Sequence, residues 1–254
     1  MASPQPSPRM LPIAPAICYH TVLPASESSF LYNVTPAAFA AHVQLLARGG
    51  ASPLAVTFDD GHDSIHRHAL AALEQARITA ILFITAGWIG ARPGYLSWAQ
   101  LAEMAHLGHP IGAHGWAHAM LTHCDDRALA DELRRPKQTL EDRLGREVTA
   151  LSLPGGRGDD RVLAACAAAG YRQVYTSDPC ALPAQRCGVE VIGRFMARRD
   201  MPSSALAQLL NGDPEPLRAL RRRRELGRRL KGLLGDRVYH WLWARWAHVA
   251  EDAR

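Results

Sequence analysis

Two stretches of the chain carry residues that could do chemistry together. The segment Leu54-Ala-Val-Thr-Phe-Asp-Asp-Gly61 is an apolar run ending in adjacent carboxylates, and His114-Gly-Trp-Ala-His118 follows the short run Pro110-Ile-Gly-Ala113. Two acids buried side by side repel unless one meets a cation or shares a proton, so Asp59 and Asp60 at a strand's C-terminal end suggest a reactive site. In such a pair one carboxylate can bind a metal while the other takes a proton from water. Histidines four residues apart can face one ion. Two His and one carboxylate leave positions open for water and substrate, as in catalytic rather than structural zinc-type sites. Each stretch also has a plainer reading. Asp-Asp-Gly is a good turn or helix start, and among twelve histidines some pairs four apart arise on exposed helices. At the ends of two separate strands, the two constellations together favour the metal.

Positioning them requires a parallel sheet. Short apolar runs alternate with helix-like stretches every 25 to 30 residues or so, the rhythm of repeated βα units. The pattern predicts strands near Ile13 to Tyr19, Leu54 to Phe58, Ala80 to Thr85, Ile111 to Ala113, Ala150 to Leu153, Gln173 to Thr176 and Val189 to Phe195. Seven strands suit a closed or nearly closed barrel. Ser64 is placed to cap a helix ending near Arg77, Ser97 with Trp98 to open one ending before Gly108, and Asp125 or Asp126 to begin a longer one toward Gly145. A further helix is expected from Asp159 to Ala169, with Gly170 at its left-handed end. The stretch Asn211-Gly-Asp-Pro-Glu-Pro216 is the only break in composition.

The 254 residues, 48% hydrophobic and 21% charged, suit one folded catalytic domain plus a tail. The net charge of +5 is uneven, because residues 217–254 hold eleven Arg or Lys against four Asp or Glu, leaving the rest about −2. A nucleic-acid-binding surface on the motif-bearing domain is therefore not expected. Five cysteines without a C-x-x-C pair read as reduced, mostly buried thiols. The first ten residues lack the apolar run of a secretory signal, and no segment approaches the length of a membrane span. Cytoplasmic residence is the simplest expectation.

At its two motifs the chain resembles the polysaccharide deacetylase family, also called the NodB-homology domain or family 4 carbohydrate esterases. Thr57-Phe58-Asp59-Asp60-Gly61 matches that family's T-F-D-D-G in full, and His114-Gly-Trp-Ala-His118 matches its H-[ST]-x-x-H with Gly115 in place of the hydroxyl residue. The resemblance runs over roughly residues 13–212. It implies a distorted (β/α)7-type α/β barrel, with residues 1–12 as a flexible N-terminus and 213–254 as a basic helical tail. By position, Asp59 would be the general base, and Asp60, His114 and His118 would ligate one divalent ion, zinc first, with cobalt or nickel as alternatives. That ion would acidify its water and polarise the acetyl carbonyl. A backbone N–H of the turn formed by Pro154, Gly155, Gly156 and Arg157 would help hold the oxyanion.

The third motif departs from the family's R-x-P-[YFW], because Ser152-Leu-Pro-Gly155 stands there. Either Arg157 or Arg194 then reaches Asp59 from elsewhere, or Asp59 is held less tightly. The plainer reading of Pro154-Gly155-Gly156 is a simple turn. A late Leu-His element is also absent between Val189 and Asn211. An exopolysaccharide-type branch carries an early Tyr-His element, which Cys18-Tyr19-His20-Thr21-Val22 resembles, so His20 is the candidate general acid, with a strand-end histidine as the plainer reading. Asp178 resembles, weakly, an acid that tunes it. His62, His66, His68 and His123 receive no role.

The resemblance implies removal of N-acetyl groups from an amino sugar in an oligosaccharide, exopolysaccharide or lipid-linked precursor. The alternatives are a non-catalytic carbohydrate-binding relative and a deformylase or other amidase. In the tail, Arg221-Arg-Arg-Arg224 precedes Trp241, Trp243 and Trp246, a pattern that suits either an anionic membrane surface on the inner face or a helix packed on the barrel. The oligomeric state is not legible.

Overall fold

The computed structural model describes residues 16–50, 54–179 and 182–213, with Glu215 and Arg222. The expected N-terminal segment 1–12 and almost all of the expected helical tail, with the alternatives of membrane contact or packing on the barrel, lie outside the described residues. The chain begins with β1 (Ala16–Tyr19), β2 (Thr21–Val22) and β3 (Asn33–Val34), followed by α1 (Pro36–Arg48), β4 (Ala55–Phe58) and α2 (Leu70–Ala76). Next come β5 (Ala80–Ile84), α3 (Trp98–His106), β6 (Ile111–Ala113), α4 (Asp126–Leu144), β7 (Ala150–Ser152), α5 (Asp160–Ala168) and β8 (Gln173–Tyr175). The described part closes with β9 (Ala184–Arg186), β10 (Val189–Ile192), β11 (Arg194–Met196) and α6 (Ser203–Leu210).

Among the described residues the main sheet has nine strands in the order β11-β1-β4-β5-β6-β7-β8-β10-β9, parallel except for the β10–β9 hairpin. The single strand expected over Val189 to Phe195 is two strands. Gly193 divides it, so that β10 pairs with β8 at one end of the order and β11 pairs with β1 at the other. Because one residue joins the two ends, the sheet must curl on itself. The result is the expected distorted barrel, with one strand more in its parallel wall than the apolar runs predicted.

Side chains alternate between two layers, as a pleated strand requires. Val56, Phe58, Leu82, Ile84, Leu151 and Val174 join the large core under the helices. Phe83, Tyr175 and Ile192 form a separate small cluster with Ile81 and Ala150, filling the barrel interior. Thr57, Ser152 and Arg194 are fully buried on that inner side, linked by hydrogen bonds across the barrel.

The helix boundaries follow local chemistry. Ser97 and Gln100 form a capping box at α3, Asp125 and Asp159 accept from the third amides of α4 and α5, and Gly145 ends α4 in the left-handed region. Ser64 is a correction. It makes no cap bond; its hydroxyl instead accepts the Val22 N–H at 3.0 Å, and the chain beyond it makes a π-helical turn over Ile65–Ala69 before α2. Among the described residues no helix is long and apolar enough to cross a membrane.

Candidate active site

The reactive residues gather at the C-terminal ends of the parallel strands. Asp59 and Asp60 follow β4, His20 follows β1, His114 follows β6, and Ser152 ends β7. Adjacent strands are laced at this level, since Asp59 N–H donates to Tyr19 O (3.0 Å) and His114 N–H to Ile84 O (2.7 Å). The two carboxylates diverge because Asp60 has φ +71°, a left-handed conformation uncommon outside glycine.

Asp59 turns into the barrel interior and is only 3% exposed. Arg194 grips it with a bidentate pair, Nη1 to Oδ1 at 2.7 Å and Nη2 to Oδ2 at 2.8 Å. Ser152 Oγ donates to Asp59 Oδ2 at 3.0 Å and accepts from Arg194 Nη2 at 2.7 Å. Burial alone would raise the Asp59 carboxyl, but the Arg194 charge, with His114 nearby, holds it well below the usual carboxylate range. Of the two arginines considered from sequence, Arg194 is thus the one beside Asp59, whereas Arg157 is exposed. Its origin is physical: serine at 152 leaves the interior volume that a guanidinium arriving from β11 fills.

Asp60, His114 and His118 offer one ligand atom each within 4.8 Å of one another. Asp60 Oδ1 lies 3.3 Å from His114 Nε2 and 3.5 Å from His118 Nε2. His114 Nδ1 donates to Ser152 O at 2.9 Å, which leaves Nε2 as the lone-pair nitrogen facing Asp60. Among the described residues Asp60 Oδ1 is buried without a hydrogen-bond partner, a costly condition that a cation would relieve. His118 also has a positive φ, +60°, so backbone strain is stored at two of the three candidate ligands. The donor set and the orphaned oxygen fit a divalent metal.

His20 stacks on Tyr32, ring centroids 5.0 Å apart, with Phe30 edge-on at 6.1 Å. Among the described residues its Nδ1 is buried without a hydrogen-bond partner, and burial lowers its pKa against the opposing pull of Asp60 and Asp59. It therefore belongs to the same electrostatic cluster. The turn over Pro154–Gly156 is present, with Gly155 at φ +65°. Gly156 N–H donates to Leu153 O at 2.7 Å. Asp178 lies beyond β8, its N–H directed to Thr176 Oγ1 at 3.3 Å. His62 is held by Ser64 (Nδ1 to Oγ 2.9 Å), and His66 by Glu103 (2.9 Å).

Three groups had no sequence signal. Trp88 lies over His118 with centroids 5.5 Å apart, and Tyr95 abuts Trp88 at 4.7 Å, making an aromatic wall on the His118 side. Met120 Sδ stands 2.8 Å from where a Cβ on Gly155 would be, so it fills space that an aromatic at 155 would need. Glu132 of α4 accepts backbone amides of the His114–His118 loop.

A model of the polysaccharide deacetylase family matches residues 47–174, half of the chain, spanning both motifs. The chain belongs to the polysaccharide deacetylase family. Solved structures agree in fold. The Streptococcus pyogenes deacetylase PplD, determined with acetate, matches with a TM-score of 0.68 at 19% identity over 78% of this chain and 98% of that one. IcaB from Ammonifex degensii matches at 0.62 and 22% identity over 79% and 97%. A 30.6 kDa Geobacillus stearothermophilus protein described as uncharacterized is 26% identical over 124 residues; the match spans 48% of this chain and under half, 45%, of that relative. In this polysaccharide deacetylase fold the Asp59 carboxylate is held by Ser152 and Arg194.

Proposed function

We propose that the chain is a metal-dependent hydrolase that removes N-acetyl groups from an amino sugar, in an oligosaccharide, exopolysaccharide or lipid-linked precursor. The observation that carries this reading is the Asp60–His114–His118 cluster beside an ion-paired Asp59. Asp60, His114 and His118 would hold the ion, zinc by donor type with cobalt or nickel as alternatives. When bound, it would supply Lewis-acid polarisation of the acetyl carbonyl and acidify water.

The chain's own residues account for the rest. Arg194 and Ser152 fix the Asp59 carboxylate as an oriented, ionised acceptor for the proton of the attacking water. His20, whose charged form burial disfavours, would pass the proton that Asp59 takes from water on to the departing sugar nitrogen. Trp88 and Tyr95 offer apolar faces for a sugar ring next to His118. Metal analysis combined with acetate release from a panel of N-acetylated oligosaccharides and lipid-linked sugars tests the proposal. One equivalent of metal with acetate release is expected; formate release from N-formyl analogues alone would change the acyl group, and a metal-free protein without turnover would refute the reading.

A further inference from the structure

The loop from His114 to His118 is tied down on both sides. Its carbonyls are taken by the segment after β5: Thr85 Oγ1 donates to His114 O (3.4 Å), Ala86 N–H to Gly115 O (3.2 Å) and Gly87 N–H to Trp116 O (3.0 Å). Its amides face α4. Glu132 Oε2 accepts Trp116 N–H at 2.8 Å, and Ala117 N–H is shared between Oε1 (3.1 Å) and Oε2 (3.2 Å). Glu132 is 8% exposed, a carboxylate spent entirely on this loop. One turn along the helix, Arg135 sits over the Trp116 ring at 3.6 Å.

Gly115 explains why a carboxylate can reach so far. A Cβ there would lie 2.8 Å from Glu132 Oε2, and φ is +77°, a conformation that L side chains rarely adopt. The departure from H-[ST]-x-x-H is thus matched by an acid from another element. Charge-assisted bonds to two successive amides hold the backbone just before His118, whose own φ is positive.

Resting on the metal reading above, we propose that Glu132 is a positioning residue that holds the His118 arm in its strained, ligand-presenting conformation. Without it the loop is free to relax, and His118 leaves the position facing Asp60. Losing an outer contact that orients a ligand typically weakens metal binding about 10- to 100-fold.

The test is zinc affinity, measured by competition with a chromophoric chelator on the full chain, alongside amide hydrogen exchange of the metal-free protein. Glu132→Gln keeps one acceptor oxygen and should weaken zinc binding about tenfold, and Glu132→Ala by up to about 100-fold. Exchange at Trp116 and Ala117 should rise in both, with the strand amides still protected. Gly115→Ala, which displaces the carboxylate from the other side, should reproduce the Glu132→Gln values. If Glu132→Ala fails to fold, the other two variants carry the test. Wild-type zinc affinity in Glu132→Gln and Gly115→Ala, even with a lowered melting temperature, would assign Glu132 to general stability and overturn this inference alone. No zinc binding by the wild type would overturn the metal reading with it.

Discussion

Asp59 and Asp60 are neighbours in sequence and opposites in environment. Around Asp59, both carboxylate oxygens are hydrogen bonded to Arg194 or Ser152. Around Asp60, one buried oxygen has no hydrogen-bond partner among the described residues, the backbone is strained, and His118 is about a third exposed (34%). The contrast shows how one strand end can give two adjacent acids different chemistry. The first side chain continues the inward alternation of β4 and meets a fixed cation; the second, turned by a positive φ, is left wanting one. A satisfied half and an unsatisfied half are what a positioned base beside a metal site should look like.

The largest effect should come from breaking the satisfied half. Arg194→Met leaves the Asp59 charge buried and unpaired, which should cost about 3–5 kcal/mol in a denaturant melt. Arg194→Lys, lacking the bidentate fork, should fall between. An unchanged melt for Arg194→Met would mean that the pair is not the support the geometry describes. Next, His20→Ala should keep metal and fold while lowering amide turnover roughly 100-fold or more, with much less loss on an activated aryl ester that needs no protonation to leave. Equal losses on both substrates would assign His20 to binding or structure, and no loss would turn the search to His62 or His123.

A pH effect on stability is expected away from both halves. His42 is fully buried, its Nδ1 3.2 Å from the Tyr19 hydroxyl, and burial lowers its pKa from 6.5 to about 4. The unfolded chain then binds this proton more readily, so the stability held above about 6.5 falls as pH drops toward 4. Between pH 7 and 5 the loss should be about 1–2 kcal/mol. His42→Phe should flatten that slope, and an unchanged slope would remove His42 as its cause. The smallest effect is expected for Ser152→Ala, about 1 kcal/mol, since Arg194 still holds Asp59 and it is the Ser152 carbonyl that orients His114. A loss as large as that of Arg194→Met would show that the hydroxyl, not the guanidinium, governs the pair.

What could be read in advance was what lies contiguously in the chain. Thr57 to Gly61 and His114 to His118 are local motifs on strand ends, and the caps at Ser97, Asp125 and Asp159 are local too. Arg194 was legible only as one of two options, because its partner at Asp59 depends on how the barrel closes. Gly193 hid that closure by joining two short apolar strands into one run. Helix α1 is not among the elements expected from the sequence, although Thr35 caps it and Pro36 opens it. Glu132 was invisible for another reason: on an amphipathic helix rich in charge, nothing marks the one acid that points inward until the loop it serves is in place.

The central claim is the division of labour between the two aspartates, and parallel metal analysis and turnover of Asp59→Asn and His118→Ala test it most directly. Asp59→Asn should retain the wild-type metal content and lose about 10² to 10⁴ in rate. His118→Ala should lose ion and activity together, since the two remaining ligands cannot hold the metal as three do. Metal loss in Asp59→Asn, or full occupancy in His118→Ala, would contradict the account.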